Sequence, residues 1–580
     1  MKYIVILFSI FICVILNANI INVPTDFDLI QDAIDASADG DTILVARGIY
    51  EEHLEFDIHN ITLASNFIFT GDDADISQTI IMGGGDDETI LIDIEPNSSE
   101  IIGLTITDGN SGLIIENTSP TLKNLIIMNN DTSDEGGGIL CFNADLTIEN
   151  CRINSNICDD EGGGIFADSS HVEIINCEIN NNVSNENDGG GIYCINSDLT
   201  LENCTINENI SDDQGGGIYL ENSTLDFIDI TVNENEFNDQ GGGIYLENCT
   251  GYMENIICKS NFTYEDDTDG GGFTIYDSSD LTMINVLIAG NNAKEDGGGV
   301  YCYDSTPFLA NFTIYGNTCV DGKGGGIYFK YSDATMVNSN IVSNLGEYGV
   351  YAYSCDPSVS YCNSYNNEEE NFHGFDDGVG EITSVNRNGE ECDDFYNIQY
   401  DPEFIYVNNE YYHLADYSVL VNSGSGDTSF LPDLDLAGET RLYGEFVDIG
   451  TYENQNVQVV GISNHQLPMT NSQMTNYPNP FNPSTTISFN LSIEQNEQYE
   501  LAIYNLKGQK LKTLSVILSV LRSTTKDESD AQHCIEGYGN LYNVTWNGTD
   551  QNNKPVSSGI YFARLKAGKV EASCKMLLLK

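Results

Sequence analysis

Carboxylates recur at one kind of place in this chain. Asp134, Asp160, Asp188, Asp213, Asp239, Asp269 and Asp296 each lie just before a Gly-Gly-Gly triplet, some beside a second acid such as Glu135, Glu161 or Glu295. A row built only of oxygen ligands suits calcium rather than a transition metal, which would draw on His and Cys. Two carboxylates about 5 Å apart repel by about 0.8 kcal/mol in water, and a divalent cation relieves that repulsion. A solvated acidic turn accounts for the same residues without an ion. The second recurring set is aromatic: Phe166, Tyr193, Tyr219, Tyr245, Tyr301 and Tyr328, interrupted at Thr274. In a strand these residues point away from their inward neighbours, so an external strip is expected, on which a glycan or partner protein could dock. Cross-strand stacking alone is the alternative.

Catalytic chemistry finds less support. Seven histidines never recur in register, and only His373, in Asn371-Phe372-His373-Gly374-Phe375-Asp376-Asp377, stands among other polar and aromatic groups. Lys123, Arg152, Lys259, Lys294, Lys323 and Lys330 fall at unrelated offsets within the repeat. A pair of carboxylates could hydrolyse a glycoside, but with 90 Asp and Glu any pair is uninformative. No CxxC pair is present, so structural zinc is not expected.

The elements that must position these groups follow from the repeat. Gly-Gly-Gly begins at Gly136, Gly162, Gly189, Gly215, Gly241, Gly270, Gly297 and Gly324, at spacings of 26 to 29 residues, which marks a solenoid. Asn130, Asn156, Asn182, Asn209, Asn235, Asn261, Asn291, Asn317 and Asn344 recur once per repeat. Six residues before each stands Asn124, Asn150, Asn176, Asn203, Asp229, Asn255, Asn285, Asn311 or Asn338. Both series are expected as hydrogen-bonded ladders at buried corners. Apolar residues two apart, such as Ile192/Cys194 and Leu199/Leu201, alternate with period two rather than 3.6, so each repeat is three short strands. Cys151, Cys177 and Cys204 hold one equivalent position in successive repeats and read as a stacked thiol row, with a disulfide between coils as the alternative.

Charge divides the chain. Residues 1–460 carry 10 Lys+Arg against 81 Asp+Glu, whereas residues 461–580 carry 11 against 9. A surface this negative repels nucleic acid and anionic membranes. Met1-Lys2 followed by an apolar run to Leu16 and the small Ala18 reads as a signal peptide over residues 1–18, and no later segment reaches a membrane-spanning length of apolar residues. Residues 19–110 are expected as an N-terminal cap and first coils, 111–350 as the glycine-repeat coils, 351–455 as last coils and a C-terminal cap, 456–475 as a linker, and 476–580 as a small antiparallel β-sandwich.

These motifs resemble known families. The Gly-Gly-Gly-Ile and Ile-x-x-Asn pattern resembles the right-handed parallel β-helix of the pectin-lyase-like superfamily, and also chlamydial polymorphic outer-membrane repeats, from which it departs by a third glycine and by Ile or Val in place of Phe. The opening Ile30–Ala36 with Gly40-Asp41-Thr42-Ile43, and the closing Asp433-Leu434-Asp435 with Val447-Asp448-Ile449-Gly450-Thr451-Tyr452-Glu453, resemble the ends of secreted bacterial β-helix proteins, with a short helix capping the first coil. Pectate-lyase-type elimination needs a base and usually calcium, and no Lys or Arg clearly faces an acidic cluster; the Asn-Thr-Asp, Asp-Asp and Gly-His-Gly series of polygalacturonases is missing. Tyr477-Pro478-Asn479-Pro480-Phe481-Asn482-Pro483, Leu501–Gly508, Trp546-Asn547-Gly548 and Ser558–Phe562 closely resemble the C-terminal sorting domain of the type IX secretion system, with residues 515–542 as an insertion. Together these resemblances imply an all-β chain, a β-helix solenoid followed by a sandwich, exported to the outer-membrane surface or beyond by type IX machinery. Its expected partner is an extracellular polysaccharide or a neighbouring cell surface, and its expected function is binding, as an adhesin or glycan-binding protein; a polysaccharide lyase or glycoside hydrolase of the same fold is the alternative.

Overall fold

The computed structural model describes residues 18–456, apart from 57–58, 86, 94–97, 264, 266–267, 376–377 and 408–409. Beyond these it describes the segments 474–477, 484–490, 499–505, 510–514, 541–551, 554–567 and 570–578. The expected leader, most of the linker and most of the 515–542 insertion therefore lie outside the described residues. The chain forms two compact units, Met1–Val459 and Val460–Lys580.

The first unit is a parallel β-helix. One coil runs through a strand such as Ile192–Ile195, a second such as Asp198–Glu202, a corner at Asn203 and a third such as Thr205–Asn207. The first strands stack into a 13-stranded parallel sheet, and the second and third strands join a 24-stranded sheet. Register is strict: Ile165, Ile192, Ile218 and Ile244 pair in succession. The inward pairs expected from the period-two pattern, Ile192/Cys194 and Leu199/Leu201 among them, are buried to 0–4% exposure in one continuous core.

Each glycine of the triplet has its own reason. Gly189 takes φ +67, in the left-handed region. A Cβ on Gly190 would overlap the carbonyl oxygen of Ile210, and one on Gly191 would lie 2.5 Å from the Gly217 carbonyl oxygen. The triplet is therefore where the backbone of one coil is pressed against the next.

The two asparagine series part company. Asn130 to Asn344 form a buried ladder in which each Nδ2 donates to the next Oδ1, as in Asn182 to Asn209 and Asn209 to Asn235 at 3.0 Å, and it continues to Asn367. The other series turns the corner between the second and third strands in left-handed conformation, with φ 50 at Asn203 and 54 at Asn176. Its side chains do bond from coil to coil, as Asn203 Nδ2 to Asn176 Oδ1 and Asn255 Nδ2 to Asp229 Oδ1, but Asn203 is exposed, which corrects the expectation of a buried corner there. Asn285, Asn311 and Asn338 of this series are buried. Cap residues lie over two of them: Asn285 Nδ2 donates to the Leu434 carbonyl and Ser425 N–H to Asn338 Oδ1.

Both ends are closed. Helix Ile30–Ala36 buries Ile30, Ala33 and Ile34 against the first coil, and its Ile30 and Gln31 N–H groups donate to Glu52. At the other end Ile398 N–H donates to the Cys362 carbonyl of the last coil, and the chain then folds back along the side of the solenoid as a hairpin, Phe404–Val407 with Glu410–Leu414, and the Asp433–Glu453 segment, whose Thr451 bonds to Thr313 and Val286. There Arg441, fully buried, donates to the carbonyls of Thr451 and Gly450 among Asp435, Asp448 and Glu453. Burial raises the pKa of Asp448 and Glu453. The thirteen cysteines described in this unit are free thiols, and the Cys151 N–H donates to the Cys177 sulfur at 3.3 Å, as a stacked row requires.

The second unit holds a three-stranded antiparallel sheet, Met474–Tyr477, Thr485–Asn490 and Leu541–Trp546, and a four-stranded one built on Tyr499–Asn505 and Gly559–Ala567. Ile487 and Trp546 of the first share a core with Leu501, Ile503 and Met576 of the second.

Candidate functional site

The acidic residues do not form one row. Inter-coil bonds such as Gly162 N–H to Asp188 O, Gly189 N–H to Gln214 O and Gly241 N–H to Asp269 O align Glu135, Glu161, Asp188, Gln214, Gln240, Asp269, Asp296 and Lys323 in the column next to the glycines. Asp134, Asp160, Asp213 and Asp239 precede this column by one residue. The split follows the offset from the triplet: acids one residue before it fall in the inner column and acids two residues before it in the outer. Asp188, Asp269 and Asp296 of the inner column use Oδ1 to accept the N–H of Gln214, Asp296 and Lys323 in the next coil. Burial raises Asp188 and Asp269 to about 7, and raises Asp213, Asp239 and Asp296 less. Among the described residues, the acids whose ligand atoms converge within 4.8 Å are Glu135, Asp160 and Glu161. These three carboxylates are close enough together to share one cation.

The aromatic strip runs where period two puts it. Phe166, Tyr193, Tyr219 and Tyr245 stack with centroids 5.3, 4.8 and 4.9 Å apart. Tyr301 and Tyr328 continue beyond Thr274, at 5.6 Å and edge to face. The strip is not open to solvent, however: its six rings are 3–7% exposed. Rings of adjacent coils cover their faces, and Phe142, Ile195 and Tyr276 of the second outward column pack beside them. The acidic loop takes the other edge, where Asp188 bears on both Tyr193 and Tyr219. Outward from the coil core therefore does not mean exposed.

An exposed aromatic face does form farther along the same sheet, from rings the repeat pattern left out. Tyr276 and Tyr303 stack at 4.6 Å. Tyr331, 46% exposed, meets Tyr303 and Tyr353 edge-on at 5.7 and 5.8 Å, and Tyr353 is 43% exposed. Lys330 Nζ donates to the Tyr301 hydroxyl at 3.1 Å and lies within 5.8 Å of the Tyr301, Tyr303 and Tyr328 ring centres. Lys323 lies 5.1 Å from the centre of Tyr351. His373 stacks on Tyr348 at 4.1 Å and reaches Glu370 at 2.7 Å. The sequence signal for this face was the pairing of Lys330 with Tyr303 and Tyr353, which share one outward column.

Residues 90–262 and 250–429 match the family described as right handed beta helix region, which takes in more than half of the chain. The chain belongs to this family. Residues 475–538 of this β-helix protein match the secretion system C-terminal sorting domain. That domain implies export to the cell surface or outside by the type IX machinery. Among the described residues no helix is long and apolar enough to cross a membrane. No curated protein matches. Among solved structures, the β-helix protein is similar to the PL6 family alginate lyase AlyGC, at 14% identity and a TM-score of 0.35 over 70% of this chain and 60% of that one. It thus spans less than two thirds of the lyase. It is also similar to PfbA, a surface adhesin of Streptococcus pneumoniae, at 11% identity and a TM-score of 0.32 over 67% of this chain and 94% of that one.

Proposed function

We propose that this exported β-helix protein binds extended glycans at the cell surface, as an adhesin or polysaccharide-binding protein, through the face of Tyr276, Tyr303, Tyr331 and Tyr353. The observation that supports it is the exposure of Tyr331 and Tyr353 on a set of rings packed against one another and overlain by Lys330. Exposed, mutually braced rings with polar tips offer an apolar surface at little entropic cost, and sugar rings present a matching apolar face. The buried strip of Phe166 to Tyr328 serves as the foundation of this face and sets its spacing. An open sheet surface suits a polymer or a neighbouring cell's glycans better than a small molecule, which is held in a concave pocket.

A polysaccharide lyase or glycoside hydrolase is the second reading, and the close Lys330–Tyr301 pair is the observation in its favour. Against it, Tyr301 is 3% exposed, and burial with Asp269 and Asp296 nearby holds its phenol protonated. Retention of the purified chain on a polysaccharide panel, scored together with release of unsaturated or reducing sugars, separates the two. Binding without release, weakened in Tyr331→Ala/Tyr353→Ala, is the expected result. Release of product, or retention unaffected by that double substitution, would overturn it.

A further inference from the structure

A different surface of the solenoid carries a second ligand site. Asn154, Asn180, Asn207, Asn233 and Lys259 occupy one outward column on the third strands, in register from coil to coil. Asn180, Asn207 and Asn233 each use Oδ1 to accept the backbone N–H of the next residue in the column, at 3.0–3.1 Å. Only the amide oxygen can accept from an N–H, so each Nδ2 is turned away with both of its hydrogens. Among the described residues these nitrogens have no partner. The column is thus a track of donors at about 4.8 Å intervals.

The track ends at Lys259, where the hairpin Phe404–Val407 and Glu410–Leu414 folds over the sheet. Lys259 Nζ lies 5.5 Å from the centre of the Tyr412 ring and has no carboxylate within 4.0 Å among the described residues. A lysine without a close ion pair stands out in a chain with 90 acids and 21 bases. Burial lowers the Lys259 pKa, with Glu410 acting in the opposite sense. Tyr406, 73% exposed, leans on Tyr411 at 4.8 Å beside the closed end.

We infer that this track holds the end of a largely neutral oligosaccharide whose terminal sugar carries one carboxylate or sulfate, with that anionic group on Lys259, the sugar ring on Tyr406, and the preceding hydroxyls on the amides of Asn233, Asn207 and Asn180. Donors without acceptors call for a ligand rich in oxygen lone pairs, and an ammonium already half withdrawn from water gains most from a counter-ion. The hairpin blocks continuation past Lys259, which selects a chain end. The acidity of the coils selects against a densely charged polymer, which would meet repulsion along its whole length.

The test measures affinity of the full chain for matched oligosaccharides in neutral, terminally carboxylated and terminally sulfated forms, with oligogalacturonate as the densely charged comparison. One or both singly charged forms are expected to bind at least about tenfold tighter than the neutral form, as one charge-assisted hydrogen bond provides; the carboxylate and sulfate arms identify the group. Lys259→Met should abolish that preference while leaving the thermal midpoint and neutral-glycan binding intact, and Lys259→Arg should restore it. Tyr331→Ala/Tyr353→Ala should leave the preference unchanged, which keeps this site distinct from the aromatic face. Equal affinity for neutral and charged forms, a preference that survives Lys259→Met, or tighter binding of oligogalacturonate would each overturn the inference.

Discussion

Asn209 and Asn235 sit in successive coils with Asn209 Nδ2 donating to Asn235 Oδ1 at 3.0 Å, and the same oxygen accepts the Asn209 backbone N–H at 2.9 Å. Asn209 Nδ2 also donates to the Ile179 carbonyl, while its own oxygen serves Asn182. Asn209→Leu leaves several buried groups unpaired and is expected to cost about 3 kcal/mol or more. Asn203→Leu, at the exposed left-handed corner, should cost about 1–2 kcal/mol through backbone strain and loss of the solvent-exposed bond from its Nδ2 to Asn176 Oδ1, and Asn203→Gly about half a kcal/mol. Denaturant midpoints of the three variants check the order; equal losses for Asn209→Leu and Asn203→Leu would contradict it.

Gly190→Ala drives a methyl group into the Ile210 carbonyl of the next coil. The expected loss is about 1–3 kcal/mol. Amide exchange should localise the opening to the coils on either side.

Asp188 and Asp269 titrate near 7 when folded, against an unfolded value of 3.8, because burial disfavours their charge. The folded chain therefore holds protons that the unfolded chain has released between about pH 4 and 7. Their contribution is fully present below pH 4 and lost as pH rises through 7, on the order of 4 kcal/mol each. The thermal midpoint should fall from pH 5 to pH 7.5 at matched ionic strength. Asp188→Asn/Asp269→Asn, which keeps the oxygens that cap Gln214 and Asp296, should flatten that slope.

Calcium is expected to raise the midpoint through Glu135, Asp160 and Glu161, by the mass-action gain of binding the folded state alone. Asp160→Asn/Glu161→Gln should cancel the gain, and substitution of Asp213 and Asp239 should not. Coincident melting curves in EDTA and in millimolar calcium would leave the acidic loop as a solvated face.

Deleting residues 476–580 removes the sorting domain. The solenoid should still fold, since its core is its own, and should accumulate in the periplasm. Fractionation with surface proteolysis checks this, and normal display of the truncated chain would refute the dependence.

What each residue faces within its own coil is written in the local pattern of the chain. Period two set Ile192 and Cys194 inward and Tyr193 outward, and the recurrence of Asn209 and its equivalents marked the buried ladder, because a stacked repeat forces equivalent residues into equivalent surroundings. Tertiary structure decided what lies over the outward residues. Whether Tyr193 is covered depends on how the rings of adjacent coils and the second outward column pack around it, and which acids converge, as Glu135, Asp160 and Glu161 do, depends on the path of the loop. Asn338 is buried by a segment near Ser425, and Lys259 is walled in by a hairpin some 150 residues away in the chain. Such burial comes from packing between segments far apart in sequence, and no local period of the chain records it.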